Sequence, residues 1–142
     1  MNAHKSSLAA LALVLGVLAA VLAGETTGYS QSTTFRVAIP FDFYVRGALM
    51  PAGMYWVMPE AEARVIGIGD RLAHHAATLT TPITNRAEAK NILVFNQYGS
   101  MYFLSEVHWS GYDSARGVAV SPLELEARNS GLPVRTAVAV RR

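Results

Sequence analysis

The chain has 142 residues, of which 51% are hydrophobic and 15% charged, with a formal net charge of +2 and no cysteine. A charged fraction well below the roughly 25% of typical soluble proteins argues against long disorder, and the length suits a single domain. The basic residues are scattered, so no nucleic-acid partner is expected. Disulfides and a lipid anchor on cysteine are excluded, and stability must come from burial.

Residues 1–23 have the layout of a secretory signal peptide. Lys5 gives a positive start, Leu8–Leu22 is uncharged and apolar, and Val21 and Ala23 are the short residues that a cleavage site requires. The apolar run is short against the roughly 20 residues of a membrane span. An uncleaved anchor and a buried core helix are the alternatives. Cleavage near Ala23 predicts an exported chain, periplasmic or secreted, that meets the membrane only through the signal peptide.

The mature sequence is expected to form a flexible leader, residues 24–32, and a single β-rich domain, residues 33–142. Thr33–Ile39 alternates apolar and polar side chains and predicts the first strand. Met54–Met58 is apolar without strict alternation, which predicts a strand buried on both sides. Other segments predict extended chain at Phe41–Val45, strands at Arg64–Ile68 and Ala76–Thr81, and turns at Arg46-Gly47 and Met50–Gly53.

The segment Asn91–Trp109 predicts a β-hairpin. Two apolar runs, Ile92–Phe95 and Met101–Trp109, flank the turn-forming stretch Asn96–Ser100. Strict alternation in the second run places one set of side chains on the core, namely Met101, Phe103, Ser105, Val107 and Trp109. The opposite face carries Tyr102, Leu104, Glu106 and His108, and its Glu106 and His108 are expected to meet water.

The C-terminal part predicts a loop, a helix and a tail. Ser110–Gly117 is expected to be a loop, and Ser121 to cap a short helix ending near Arg128. Residues 131–142 form a Val-rich tail whose alternation over 134–140 favours a last strand, loosely attached. The fold class is therefore mainly β: an antiparallel barrel or sandwich of six to eight strands with one short C-terminal helix. An outer-membrane barrel is a weaker option, because only Met101–Trp109 is long enough.

Several of these segments together resemble a family of small exported bacterial proteins, abundant in soil bacteria and uncharacterised in function. After the signal peptide, the matching pieces are Pro40–Phe43 (PFDF), Leu49–Tyr55 (LMPAGMY), Leu93-Val94-Phe95 with Tyr98-Gly99 (LVFxxYG), Tyr102–Val107 (YFLSEV) and the terminal helix with Ser121 and Glu124. The chain departs from the family pattern beyond Gly131. These motifs are structural, so the resemblance implies an exported β domain and transfers no activity.

His74, His75 and Asp70 are the best candidates for a metal site. Adjacent residues of a strand point to opposite faces, so both histidines would ligate one ion only from a loop. No HExxH or cysteine set accompanies them, and the sequence contains no cofactor motif. Solvated loop histidines are the default interpretation, and no cofactor is expected.

His108 lies two residues from Glu106 on the same predicted strand face. Such a pair can do acid–base chemistry, although a surface contact is the commoner role. The sequence has no GxSxG nucleophile motif. A hydrolase that uses His108 and Glu106 is therefore an alternative hypothesis rather than the principal one.

The sequence contains many aromatic residues for its length. Most are expected in the core, and a subset is expected to form a ligand or partner surface. That subset is Tyr55, Trp56, Tyr98, Tyr102 and Trp109. The principal hypothesis is an exported, non-catalytic binding or interaction module whose partner is an unknown envelope or extracellular protein. A barrel that binds a small apolar ligand is the alternative.

Overall fold

A computed structural model describes residues 34–60, 63–86, 90–110 and 114–140. Residues 1–33 lie outside this range, so the signal peptide and the leader stay predictions. The elements, in chain order, are β1 (Phe35–Ile39), β2 (Phe43–Val45), β3 (Ala48–Met50), β4 (Gly53–Glu60), β5 (Val65–Gly69), β6 (His75–Arg86), β7 (Ile92–Tyr98), β8 (Met101–His108), β9 (Ser114–Val118), α1 (Pro122–Ala127), a 3₁₀ turn (Arg128–Ser130) and β10 (Val134–Ala139). No helix in the described ranges has the length and apolarity to cross a membrane.

The ten strands form one sheet that folds over on itself in two halves. The first half has the order β1-β4-β5-β6, and the second continues through β9, β8, β7 and β10, with the β2–β3 hairpin beside β8. The long strand β6 belongs to both halves, because His75–Leu79 pairs with β5 and the residues from Thr80 onward pair with β9. Over the residues that the structure describes, the sheet does not close into a barrel. The prediction of a mainly β fold is confirmed in its sandwich form, and the barrel alternative is wrong.

The core lies between the two halves and is built from alternate residues of their inner faces. β1 contributes the side chains predicted from its alternation, which are Phe35, Val37 and Ile39. The other half contributes Leu93, Phe95, Leu104, Val107 and the fully buried Trp109. The ring of Trp109 meets that of Phe35 edge to face at 6.1 Å. Burial of these large apolar side chains is the main stabilising term, at about 25 cal/mol for each Å² removed from water.

Two hairpins have two-residue turns that require a left-handed backbone. Between β2 and β3, Arg46 and Gly47 have φ of 49° and 91°, as a type I′ turn needs. Between β7 and β8, Gly99 has φ of 61° and only Ser100 accompanies it in the loop. The predicted hairpin is confirmed, but its turn is shorter than predicted, because Asn96 to Tyr98 continue the strand.

A β-bulge at Ser105 overturns the predicted faces of β8. Val94 pairs with Glu106 while Phe95 pairs with Leu104, so Ser105 is an extra residue without a partner on β7. The alternation therefore shifts by one position: Val107 and Leu104 face the core, and Phe103 lies on the other side of the sheet. Ser105 is half-buried rather than on the core face. When a strand has apolar residues on both faces, its apolar pattern in the sequence is the same with or without a bulge.

The prediction that Glu106 and His108 meet water is wrong. Their exposed fractions are only 8% and 5%. The reason is that the outer face of β8 is covered: Arg135 of β10 reaches over β7 to Glu106, and α1 packs on the same face through Asn96. β7 and β8 are therefore buried on both faces over much of their length.

Two further strand predictions are corrected. β4 alternates after all, with Tyr55, Val57 and Pro59 buried and Met54 and Met58 exposed, so it is not buried on both sides. The predicted loop over 110–117 contains β9, which begins at Ser114 and fills the gap between β6 and β8. β9 and the β2–β3 hairpin bring the count to ten strands, above the predicted six to eight.

The C-terminal helix and the tail strand have the predicted form. The hydroxyl of Ser121 accepts a hydrogen bond from the backbone N–H of Glu124, at 3.2 Å, and Pro122 occupies the first turn. The Glu124 carboxylate accepts a hydrogen bond from Asn96 at 2.9 Å, which fixes the helix to β7. The tail then pairs antiparallel with β7 from Val134 to Ala139.

Candidate functional site

An open groove lies on the outer face of the first sheet half. It has a volume of about 340 Å³. Its walls come from β1, from β4 with the turn before it, and from the loop after β5, through the residues Arg36, Pro51–Met54, Trp56, Asp70–Leu72 and His74. We call it the Trp56 groove.

The period of β4 places Trp56 in the groove. Its neighbours Tyr55 and Val57 point into the core, so the indole of Trp56 points outward and is half-buried. Arg36 is its cross-strand partner on β1, and the guanidinium carbon lies 5.7 Å from the centre of the indole ring. This is a cation–π contact, which holds a positive charge over a flat apolar surface.

On the other side of Trp56, away from Arg36, the neighbouring residue is a glycine without a side chain. Gly69 is the partner of Trp56 on β5, and His75 is the partner of Gly69 on β6. A Cβ atom at Gly69 would lie 2.5 Å from Nδ1 of His75. The imidazole therefore lies over the glycine, in the space that any other residue would fill.

Asp70 organises the loop that forms one wall. Its Oδ1 accepts hydrogen bonds from the backbone N–H groups of Leu72, Ala73 and His74 at 2.8, 3.0 and 2.9 Å. Its Oδ2 lies 2.7 Å from Nδ1 of His74. These bonds fix a loop in which Ala73 has the unusual φ of 132°, and they present Arg71, Leu72 and His74 to the groove.

The charges of the groove favour an anion. Burial on its own would raise the pKa of Asp70, but the hydrogen bonds from His74 and from the backbone amides outweigh it and lower the pKa well below its usual range. Asp70 is thus a carboxylate whose acceptor positions are occupied within the loop. Arg36 and Arg71 bring two guanidinium groups to the lining of the groove, and that of Arg36 lies over the indole.

The buried side chain of Tyr55 lies beneath the Trp56 groove. The hydroxyl of Tyr55 donates a hydrogen bond to the carbonyl oxygen of Pro51 at 2.6 Å, and Asp42 accepts one from the N–H of Ala52 at 2.8 Å. Burial raises the pKa of Tyr55, and the nearby charges of Asp70 and Asp42 raise it further. Tyr55 and Asp42 therefore fix the turn before β4, and Tyr55 acts from beneath the groove rather than as a surface residue.

The predicted metal candidates are only partly brought together. Asp70 and His74 are in contact, while His75 lies on β6 over Gly69. Within the described ranges, no three His, Asp or Glu side chains form a group able to hold a metal ion. The contact between Asp70 and His74 instead fixes the conformation of the loop.

The predicted acid–base pair is present, but the side chain of Arg135 from the tail strand reaches over it. Nε2 of His108 is 3.0 Å from Oε2 of Glu106, and the other carboxylate oxygen accepts a hydrogen bond from Arg135. Burial raises the pKa of Glu106, but the hydrogen bonds and charges of Arg135 and His108 outweigh it and lower the pKa. Nδ1 of His108 is buried and has no hydrogen-bond partner in the described part of the chain. The contacts of Glu106 are those of an ion pair that fastens β10 to the sheet.

Of the predicted surface aromatics, Trp56 alone lines the Trp56 groove. Tyr55 and Trp109 are fully buried in the core, and Tyr98 is 4% exposed. Tyr102 is half-buried and stacks on Phe41 with ring centres 3.9 Å apart. The cationic lining residues Arg36 and Arg71 were missed by the sequence analysis. The alternation of β1 could have placed Arg36 outward, but its partner on β4 depends on register.

Comparison with known proteins adds no further evidence: no family model, curated protein or solved structure matches the chain significantly.

Proposed function

We propose that this protein is an exported, non-catalytic binding module, and that its ligand carries an anionic group beside a flat apolar one. The site is the Trp56 groove. The observation that carries the proposal is the cation–π contact of Arg36 with Trp56 in a concave site, where the carboxylate of Asp70 accepts hydrogen bonds from its own loop. Export is proposed from the signal-peptide layout of residues 1–23.

The groove and such a ligand are complementary in charge and in shape. Arg offers a planar fork of N–H donors to a carboxylate or sulfonate, and an indole offers a large apolar face at little entropic cost. The contact between Arg36 and Trp56 holds both surfaces in place before the ligand arrives, which reduces the cost of ordering them. Ligand sites commonly combine a concave apolar surface with a few fixed polar groups, as found here.

The aromatic anion 8-anilinonaphthalene-1-sulfonate is a suitable probe. We expect saturable binding to the protein, measured by the fluorescence of the probe, with a stoichiometry of one. Trp56→Ala should remove it and Arg36→Gln should weaken it about tenfold, the effect of losing one hydrogen bond to a charged group. Leu125→Ser, which removes an exposed leucine of α1, is the control. Unchanged binding to the Trp56→Ala variant would refute the proposal.

A further inference from the structure

Two of the end strands of the sheet, β1 and β10, leave a second groove next to the first. β1 pairs with β4 and β10 with β7, and no other strand in the described ranges pairs with either of them. A groove of about 690 Å³ lies between these two strands. Its walls include Arg36 to Ala38 of β1 and Ala137 to Ala139 of β10, and we call it the seam groove.

The seam groove and the Trp56 groove are adjacent. Arg36 and Met54 line both. Three of the lining residues, Ala38, Ala137 and Ala139, have short side chains, so that the walls are low and another backbone can approach. Alternate N–H and C=O groups of an end strand point away from its single neighbour, and they bind a further extended segment by strand addition.

We infer that the partner is an extended acidic segment of another protein that adds to the outer edge of β1 in the seam groove. This inference rests on the proposed function, since it identifies the anionic group as a carboxylate of that segment. A residue directly opposite Arg36 in such a pair has its Cβ atom about 5 Å away, within reach of an ion pair. An acidic side chain there meets the guanidinium that overlies Trp56.

The charge of the site selects this occupant. Arg36 is the charged residue among those that line the seam groove, and Arg71 adds a second positive charge along the Trp56 groove. Main-chain hydrogen bonds supply affinity in strand addition, and side-chain pockets supply specificity. The edge of β1 therefore selects a partner segment with an extended backbone. Arg36 selects an acidic residue at one position of that segment.

The test uses blocked synthetic peptides of alternating threonine and valine with one central glutamate. Matched peptides carry a central lysine, or N-methyl groups on alternate backbone amides. Binding is followed by the fluorescence of Trp56 and by the hydrogen exchange of the amides of Arg36–Ala38. We expect the glutamate peptide to bind about tenfold more tightly than the lysine peptide, and N-methylation of the paired edge to abolish binding. Bound peptide should slow amide exchange in β1.

Two variants separate the contributions. Arg36→Gln should remove most of the preference for glutamate, whereas Arg46→Gln, the same change in the β2–β3 turn, should leave it unchanged. If the sulfonate probe binds through Trp56 but no peptide binds, the proposed function stands and strand addition is refuted. Equal binding of the N-methylated peptide also refutes it. Alternate amides of β1 bond to β4, and the others point away from it. If the amides that point away from β4 are already protected in the protein alone, with no peptide bound, the leader or a second copy covers this edge, which overturns the inference.

Discussion

The carboxylate of Glu106 on β8 and the guanidinium of Arg135 on β10 form an ion pair across the strand that separates them. β7 lies between β8 and β10, and the two side chains meet over its outer face. The pair therefore ties the last strand to the second strand from it, β8. Glu106 is buried while Arg135 is 54% exposed, so water screens only one side of the contact.

Removal of Arg135 should destabilise the protein in a pH-dependent way. We expect Arg135→Gln to lower the free energy of unfolding by about 1–2 kcal/mol at neutral pH, between the values for surface and buried pairs. The folded-state pKa of Glu106 lies below its ordinary value of 4.5. The stabilisation is thus complete above that value and is lost as the pH falls through the lower folded-state pKa.

Urea unfolding of both proteins at about pH 7 and about pH 3 measures this effect. The two stabilities should converge in acid. A difference that stays the same in acid would show that Arg135 acts through packing rather than through its charge. Arg116 is not a suitable control, because it is half-buried, whereas the exposed Arg46 provides one through Arg46→Gln.

Gly69 should tolerate alanine only if His75 moves. The new Cβ would lie 2.5 Å from Nδ1 of His75, whose side chain is exposed and can rotate away. We expect Gly69→Ala to cost less than about 1 kcal/mol and to shift the imidazole resonances of His75 in proton NMR spectra. Gly67→Ala is the matched control, since its nearest atom would be 3.5 Å away. Unshifted His75 resonances in the Gly69 variant would contradict the described packing.

The Asp70 loop should respond differently to two substitutions. Asp70→Asn keeps an oxygen that can accept the backbone N–H groups of Leu72, Ala73 and His74, and it removes a negative charge. We therefore expect it to bind the sulfonate probe about two- to threefold more tightly. Asp70→Ala removes the acceptor as well, and it should weaken binding because the wall of the groove loses its fixed shape. Equal affinities for the two variants would argue against a role of the loop in shaping the groove.

The helix cap offers a further test of local structure. The Ser121 hydroxyl accepts the N–H of Glu124, so Ser121→Ala should cost about 1 kcal/mol in a urea titration. Ser100→Ala, in the exposed turn between β7 and β8, should have almost no effect and serves as the control. If Ser121→Ala lowers the free energy of unfolding by no more than Ser100→Ala does, the cap contributes nothing to stability.

The bulge at Ser105 explains where sequence reasoning succeeded and where it failed in β8. The apolar run and the glycine turn identified the hairpin, because they depend on local propensity. The faces depended on strict alternation, which one inserted residue reverses for everything before it. Phe103 and Leu104 are both apolar, so the sequence fits either register. The burial of Glu106 depended on Arg135, which lies 29 positions along the chain.

The Trp56 groove shows the same division between local and distant information. Trp56 was among the predicted surface residues, and the Asp70–His74 contact joins two residues four positions apart. Arg36 could not be assigned to the site, because its place beside Trp56 follows from the register of β1 with β4. The seam groove needed the topology itself, since β1 and β10 lie at opposite ends of the described chain.

Residue-resolved NMR titration of the ¹⁵N-labelled protein with 8-anilinonaphthalene-1-sulfonate tests the central claim most directly. The two indole N–H signals are internal references for each other, since Trp56 lines the groove and Trp109 is fully buried in the core. We expect the signals of the Trp56 indole and of the Arg36 and Arg71 amides to shift together and to saturate as the probe is added. The Trp109 signal should stay in place. Saturable shifts that map to the exposed face of α1 instead, with Trp56 unmoved, would contradict the claim.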